Sequence, residues 1–429
     1  MRVTTRPAIP RRSALLAAPM LASACGAPWP GRGSPFVYRG GIGSRSDGPM
    51  MPQLSTLGGG FSTANRGNWW QQAYSVDSFS RLDDIWPSIR SAAPATPSPL
   101  RRRAGEPDIG FDGAPVHGLG RFSIDDYLSR NPTTGLLIIR DGEILVERYQ
   151  YARHDQHRLT SFSMAKTLVA MLIGLALEEG HIGSIEQTAA SIVPELLGCE
   201  YGATPLRHLL TMSSGVAFRE TYDGRDDSAG LSRLTFGGQS AGGAAVPPFF
   251  NTRIAAPGRR WYYASSETFV LALVLRRAIG RPIAEYFAEK LWQPLGAEAD
   301  ASWLTDRSGL EIGYMGFNAV LRDYGRLAML LASGGQHGGR QLLPQGWLAA
   351  MTRAHFSGAE TARWFGYGYQ TWIFPPAEGG FALLGVRGQA IFVDPSRRLA
   401  MVHTAVRPDA RDPGGADLAA LWRGVKRHV

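Results

Sequence analysis

The chain has 429 residues, 44% of them hydrophobic and 19% charged, which is enough for a large apolar core and too apolar for general disorder. Its formal net charge of +9 comes from scattered basic residues, and Arg101-Arg102-Arg103 is the only tight run beyond the first 25 residues. Without aromatics interleaved among those bases, the charge argues against a nucleic-acid surface.

Residues 1–25 read as an export signal. Arg11-Arg12 precede a short apolar stretch, and Ala22-Ser23-Ala24 supplies small residues for cleavage before Cys25. The stretch is too short to cross a bilayer as a permanent helix. The paired arginines resemble a twin-arginine signal, and Ala22-Ser23-Ala24-Cys25 resembles a bacterial lipobox with Ala22 where leucine is usual. Two outcomes stay open: a lipidated Cys25 that attaches the chain to a membrane in the periplasm, or a plain cleaved signal. Cys199 is the only other cysteine, so a chain that lipidates or loses Cys25 holds no intramolecular disulfide.

Residues 26–118 form an extension rich in Gly, Pro and Ser, with Gly58-Gly59-Gly60 and Pro94-Ala95-Thr96-Pro97-Ser98-Pro99 as linker signals. Trp69, Trp70 and Trp86 are too many aromatics for a tether, so part of it is expected to drape over the domain of residues 119–429.

That domain opens on a hairpin, Leu136 to Ile139 and Glu143 to Arg148 about an Asp141-Gly142 turn. Next comes the stretch Ser161 to Leu177, free of proline, closed by Glu178-Glu179-Gly180, and apolar around most of its circumference. Such a helix is buried. Lys166 is its only charge. An ammonium carried into an apolar interior costs several kcal/mol (~3–5), and the usual response is a lowered pKa that leaves a neutral amine. Ser163 lies one helical turn away on the same face, so a weak nucleophile has a base within reach. The tetrad S-x-x-K alone is common by chance, and Ser163 as a helix cap with a snorkelling Lys166 is the competing reading.

Further helices are expected at Leu206–Met212, Glu267–Ile279, Ile283–Leu291 and Ala319–Leu331, and short strands at Gly368–Phe374, Phe381–Leu384, Ala390–Val393 and Leu399–Thr404 before a closing helix at Asp417–Val425. Strands at both ends with helices between predict an α+β fold. One antiparallel sheet pairs the first strands with the last, and the middle is a mostly helical insertion. Tyr263 falls just before the helix at Glu267, where the dipole and nearby cations would favour phenolate and a role in proton transfer; the bland reading is a buried aromatic with a satisfied hydroxyl.

Ser163-Met164-Ala165-Lys166, Tyr263-Ala264-Ser265 and Leu383-Leu384-Gly385 together resemble the serine β-lactamase and DD-peptidase superfamily, whose S-x-x-K, Y-x-N or Y-x-S and K-T-G elements meet in one cleft. Leu209 to Gly215, Arg322-Asp323-Tyr324-Gly325-Arg326-Leu327 and Gly385-Val386-Arg387-Gly388-Gln389 resemble the class C branch that holds 6-aminohexanoate-dimer hydrolases and family VIII esterases. The resemblance implies Ser163 as acylated nucleophile, Lys166 as general base, Tyr263 as proton shuttle, and the backbone N–H groups of Ser163 and Val386 as oxyanion hole. It also implies that Ser265 holds Lys166 or the substrate amide, with Tyr222 and Gly385 as substrate contacts. Two departures bear on specificity: Leu383 replaces the lysine of K-T-G, and Ser265 replaces asparagine. The expected activity is hydrolysis of small esters or amides through an acyl-enzyme, without metal or cofactor. The alternatives are a penicillin-binding or β-lactam-sensing lipoprotein, or a β-lactamase or DD-peptidase.

Two other motifs compete. Gly238-Gln239-Ser240-Ala241-Gly242 matches the nucleophile elbow G-x-S-x-G, with His403 downstream, but lacks the strand before it and the helix after it. His154-Asp155-Gln156-His157 suggests a metal only if other ligands join it; a solvated turn is the simpler account.

Overall fold

Strand Thr133–Arg140 carries a near-continuous apolar run because both of its faces are covered. Leu136 and Ile138 join a core with Tyr127 and Trp422, while Leu137 and Ile139 join a second, larger core with Leu327. This strand is central to an eight-stranded sheet in a computed structural model that describes residues 48–49, 56–57, 60–61, 63–113, 120–411 and 415–429. The expected export signal, with Arg11, Arg12 and Cys25, lies outside the described residues, as do Gly58 and Gly59.

The sheet order is Gly366–Tyr367, Trp372–Ile373, Phe381–Gly385, Gln389–Asp394, Leu399–Ala405, Thr133–Arg140, Glu143–Tyr149, Arg101–Arg102. Every pair is antiparallel except the last. The first hairpin pairs with the last strands, Leu136 opposite His403 and Arg140 opposite Leu399. The C-terminal helix Gly415–His428 covers one face with Leu418, Leu421, Trp422 and Val425, an i, i+3, i+4, i+7 stripe. Helix Leu321–Ala332 crosses the other face at Gly325, where a Cβ would come within 2.5 Å of Leu137 Cδ2. A larger residue there would have to displace the buried Leu137 side chain.

The middle of the chain is less helical than expected. Ala301–Leu304 and Phe317–Ala319 are strands of a second, four-stranded antiparallel sheet, flanked by Ser88–Ser91 on one side and Leu159–Thr160 on the other. Ala319, expected to open a helix, instead pairs with Leu159, and the helix begins at Leu321. The extension is woven into both sheets: Ser88–Ser91 edges the small one, and the basic run Arg101–Arg102 edges the large one.

Candidate active site

The turn that carries Ser163 is short and runs straight into a buried helix. Phe162–Met164 forms a 3-10 turn, and helix Ala165–Glu178 follows with Ala165 to Ala176 all buried. Phe162 is held at φ +42°, a left-handed conformation that costs a non-glycine residue ~1 kcal/mol or more. Edge-to-face contacts to Phe79 at 4.8 Å and Trp70 at 5.7 Å clamp it. Behind it, Gly385 ends its strand so close that a Cβ would lie 2.5 Å from Ser161 O. Glycine at 385 therefore lets the strand end reach the Ser163 turn, and Val386 and Ser163 line the same cavity of about 210 Å³.

Lys166 is 1% exposed. Its Nζ lies 3.0 Å from Ser163 Oγ, 3.0 Å from Ser265 Oγ and 2.8 Å from Tyr314 O. A neutral amine has two N–H groups, which Ser265 Oγ and Tyr314 O accept, and its lone pair is then left for the Ser163 hydroxyl. Burial pushes the Lys166 pKa down to about 8, against the opposing pull of the Glu220 carboxylate. A usable fraction is thus unprotonated near neutral pH.

Tyr263 is hydrogen-bonded to Ser163 and stacks on Trp372 at 5.3 Å. Burial and Glu220 push its phenol up, so it is protonated, contrary to the phenolate expected from its place before a helix. The reason is local. The helix begins at Ser265, and its N-terminus is already occupied by a carboxylate, since Ser265 N donates to Glu220 Oε2 at 2.7 Å.

Glu220 is the member that sequence reasoning missed. Its Oε1 accepts from Ser265 Oγ at 2.8 Å and from Tyr222 OH at 2.5 Å, and it lines the cavity. It falls in a loop before helix Asp227–Thr235, where no periodicity or spacing marks it. Tyr222, at φ +58°, also lines the cavity, its backbone N donating to Asp226 Oδ2 at 2.6 Å. Trp69 and Trp70 form a further wall, and their only signal was an excess of tryptophan in a Gly/Pro-rich segment. Leu383 is 1% exposed in the core, so no side chain there reaches a substrate carboxylate.

The competing motifs do not assemble. Ser240 Oγ accepts from Gly242 N at 2.9 Å, whereas His403 is buried on Leu399–Ala405 with Nε2 on Tyr127 OH and Thr133 Oγ1 and Nδ1 on Gly388 O. The rings of His154 and His157 pack at 4.0 Å, and among the described residues no group of three His, Cys, Asp or Glu is placed to hold a metal.

Known proteins share this arrangement of elements. A 6-aminohexanoate-dimer hydrolase from Paenarthrobacter ureafaciens is 27% identical over 361 residues, covering 79% of this chain and 88% of that one. The structure described as "Putative 6-aminohexanoate-dimer hydrolase from Bacillus anthracis" superposes with a TM-score of 0.75 at 21% identity, covering 86% and 98% of the two chains. A family VIII carboxylesterase gives a TM-score of 0.53 at 21% identity over 70% of this chain and 93% of its own. Residues 124–421 match the family described as Beta-lactamase, and the chain belongs to that family.

Proposed function

We propose that the protein is a serine hydrolase that cleaves small esters or amides through an acyl-enzyme on Ser163. The observation that carries this reading is the Lys166 amine, buried, lowered in pKa and 3.0 Å from the Ser163 hydroxyl at a cavity wall. As Ser163 Oγ attacks the substrate carbonyl carbon, its proton passes to Lys166 Nζ. The backbone N–H groups of Ser163 and Val386 receive the oxyanion, a contribution of about 3–4 kcal/mol where such donors are preorganised. Tyr263 gives its phenolic proton to the departing oxygen or nitrogen. In the acyl-enzyme the resulting Tyr263 phenolate then takes a proton from the attacking water, and the Lys166 ammonium returns its own to Ser163 Oγ. The transient charges attract across the 5.1 Å between Nζ and the Tyr263 ring.

The named relatives act on amides and esters, which supports the same substrate class here. A buried Leu383 in place of a lysine disfavours carboxylate-bearing β-lactams, and with them the penicillin-binding and β-lactamase alternatives. The direct test is covalent labelling by a fluorophosphonate alongside release of p-nitrophenol from short-chain esters. Both are expected to vanish in Ser163→Ala, and labelling that persists would move the nucleophile elsewhere.

A further inference from the structure

One wall of the cavity comes from outside the region that matches the family: Trp69 and Trp70 precede residue 124 by more than fifty positions and yet line the same space as Ser163. Both are half-buried. Trp70 packs its edge on Phe162, the residue before the nucleophile, and Trp69 packs on Trp70, Trp86 and Phe236. The other anchor is Arg387, next in sequence to Val386. Its guanidinium lies 4.5 Å from the Trp70 ring and donates to Trp70 O at 3.1 Å, Gln72 Oε1 at 2.5 Å and Arg407 O at 3.4 Å. Gln72 is itself tied down by Nε2 donating to Val406 O at 2.5 Å. Arg387 holds a left-handed φ of +59°, a conformation that a free loop would not keep.

These contacts join the extension to both halves of the reacting centre. Tyr263, hydrogen-bonded to Ser163, stacks against Trp372 at 5.3 Å, while Trp69 and Trp70 line the cavity together with Ser163 and Val386. A leaving group that takes its proton from Tyr263 lies beside the Tyr263–Trp372 pair, and the space that Trp69 and Trp70 wall off next to Ser163 and Val386 is the one the acyl part can fill.

We propose that Trp69 and Trp70 set the size of the acyl group this enzyme accepts, and that Arg387 is the positioning residue locking this wall to the oxyanion strand end. The proposal rests on the hydrolase reading above. The wall makes the site one for compact acyl groups, and shortening a tryptophan opens it to longer ones.

The test is kcat/KM of the full-length protein on p-nitrophenyl acetate, butyrate, hexanoate and octanoate. In Trp70→Ala the octanoate-to-acetate ratio is expected to rise by about tenfold or more, the scale on which apolar pockets discriminate chain length. Trp70→Phe, which keeps an aromatic on Phe162, is expected to shift it less, and Trp69→Ala to shift it in the same direction. Arg387→Lys keeps the charge and loses the planar fork, so kcat is expected to fall more than KM changes. A ratio that stays flat or falls in both Trp70→Phe and Trp69→Ala, with the esters still turned over, would overturn the wall while leaving the hydrolase intact. An Arg387→Lys enzyme altered in KM alone would overturn the positioning role. Wild-type protein that never acylates at Ser163 would instead remove the hydrolase reading itself.

Discussion

A base buried to 1% exposure works only if something keeps its amine close to neutrality without depriving it of partners, and the residues around Lys166 divide that task. Desolvation lowers its pKa, while Glu220, facing it through Ser265, holds the value up to about 8. Tyr263 and Tyr314, the other polar neighbours, stay neutral because burial pushes both phenols up. The sign for catalysis follows. Lys166 must lose its proton to act, so acylation is expected to rise with pH through about 8 and level off above it. Removing the carboxylate in Glu220→Gln takes away the raising influence, and the midpoint is expected to move to lower pH. Glu267 is pushed up to about 8 by burial and titrates in the same window, bonded to Ser214 Oγ at 2.6 Å, so Glu267→Gln serves as the control. The reading is the burst of p-nitrophenol against pH. A midpoint that vanishes in Glu267→Gln, or one that climbs in Glu220→Gln, would take the titration away from Lys166.

The segment Arg322 to Leu327, which carried part of the family resemblance, is structural at the level of its helix. Arg322 is fully buried and donates to both carboxylate oxygens of Glu147 at 2.7 and 3.2 Å, and Arg326 joins Asp323 at 2.8 Å. Tyr149 OH and Arg102 also donate to Glu147, so one carboxylate ties a helix, a central hairpin and the extension's edge strand. Removing one partner of such a network strands the opposite charge, and Arg322→Ala is expected to lose about 3–5 kcal/mol in urea unfolding. A loss below roughly 1 kcal/mol would mean that water reaches the site. This element was legible as a helix, but its role was not, because a buried arginine and an exposed one look alike in a sequence. The hairpin and the nucleophile helix were legible because seven or more residues carry the pattern. Ala301–Leu304, Phe317–Ala319 and Ser88–Ser91 are too short to show a period, and the last reads Ser-Ile-Arg-Ser, so only pairing in the fold makes them strands.

At the scale of the whole molecule, composition separates the extension from the domain and the packing joins them. Asp83 Oδ2 accepts from Arg158 at 2.6 Å and from Ser302 at 2.7 Å, linking the extension to the loop before the nucleophile and to the second sheet. Thr160 N donates to Phe79 O at 2.9 Å, and Arg326 Nη2 donates to Ser98 O at 2.5 Å inside the proline-rich stretch that reads as a linker. Glycine and proline report local freedom, and long-range contacts of this kind leave no mark on composition. The consequence is testable by length. A chain beginning at residue 120 keeps the matched region but loses both edge strands, uncovers Ala301–Leu304 and leaves Asp83's and Arg102's partners buried without them. It is expected to aggregate or to melt lower by about 10 °C or more, since a loss of several kcal/mol moves a domain of this size by ~2–4 °C per kcal/mol. A shortened chain that stays soluble, melts within about 2 °C of the full protein and keeps its ester turnover would show the opposite: that the family region folds alone and the extension only rests upon it.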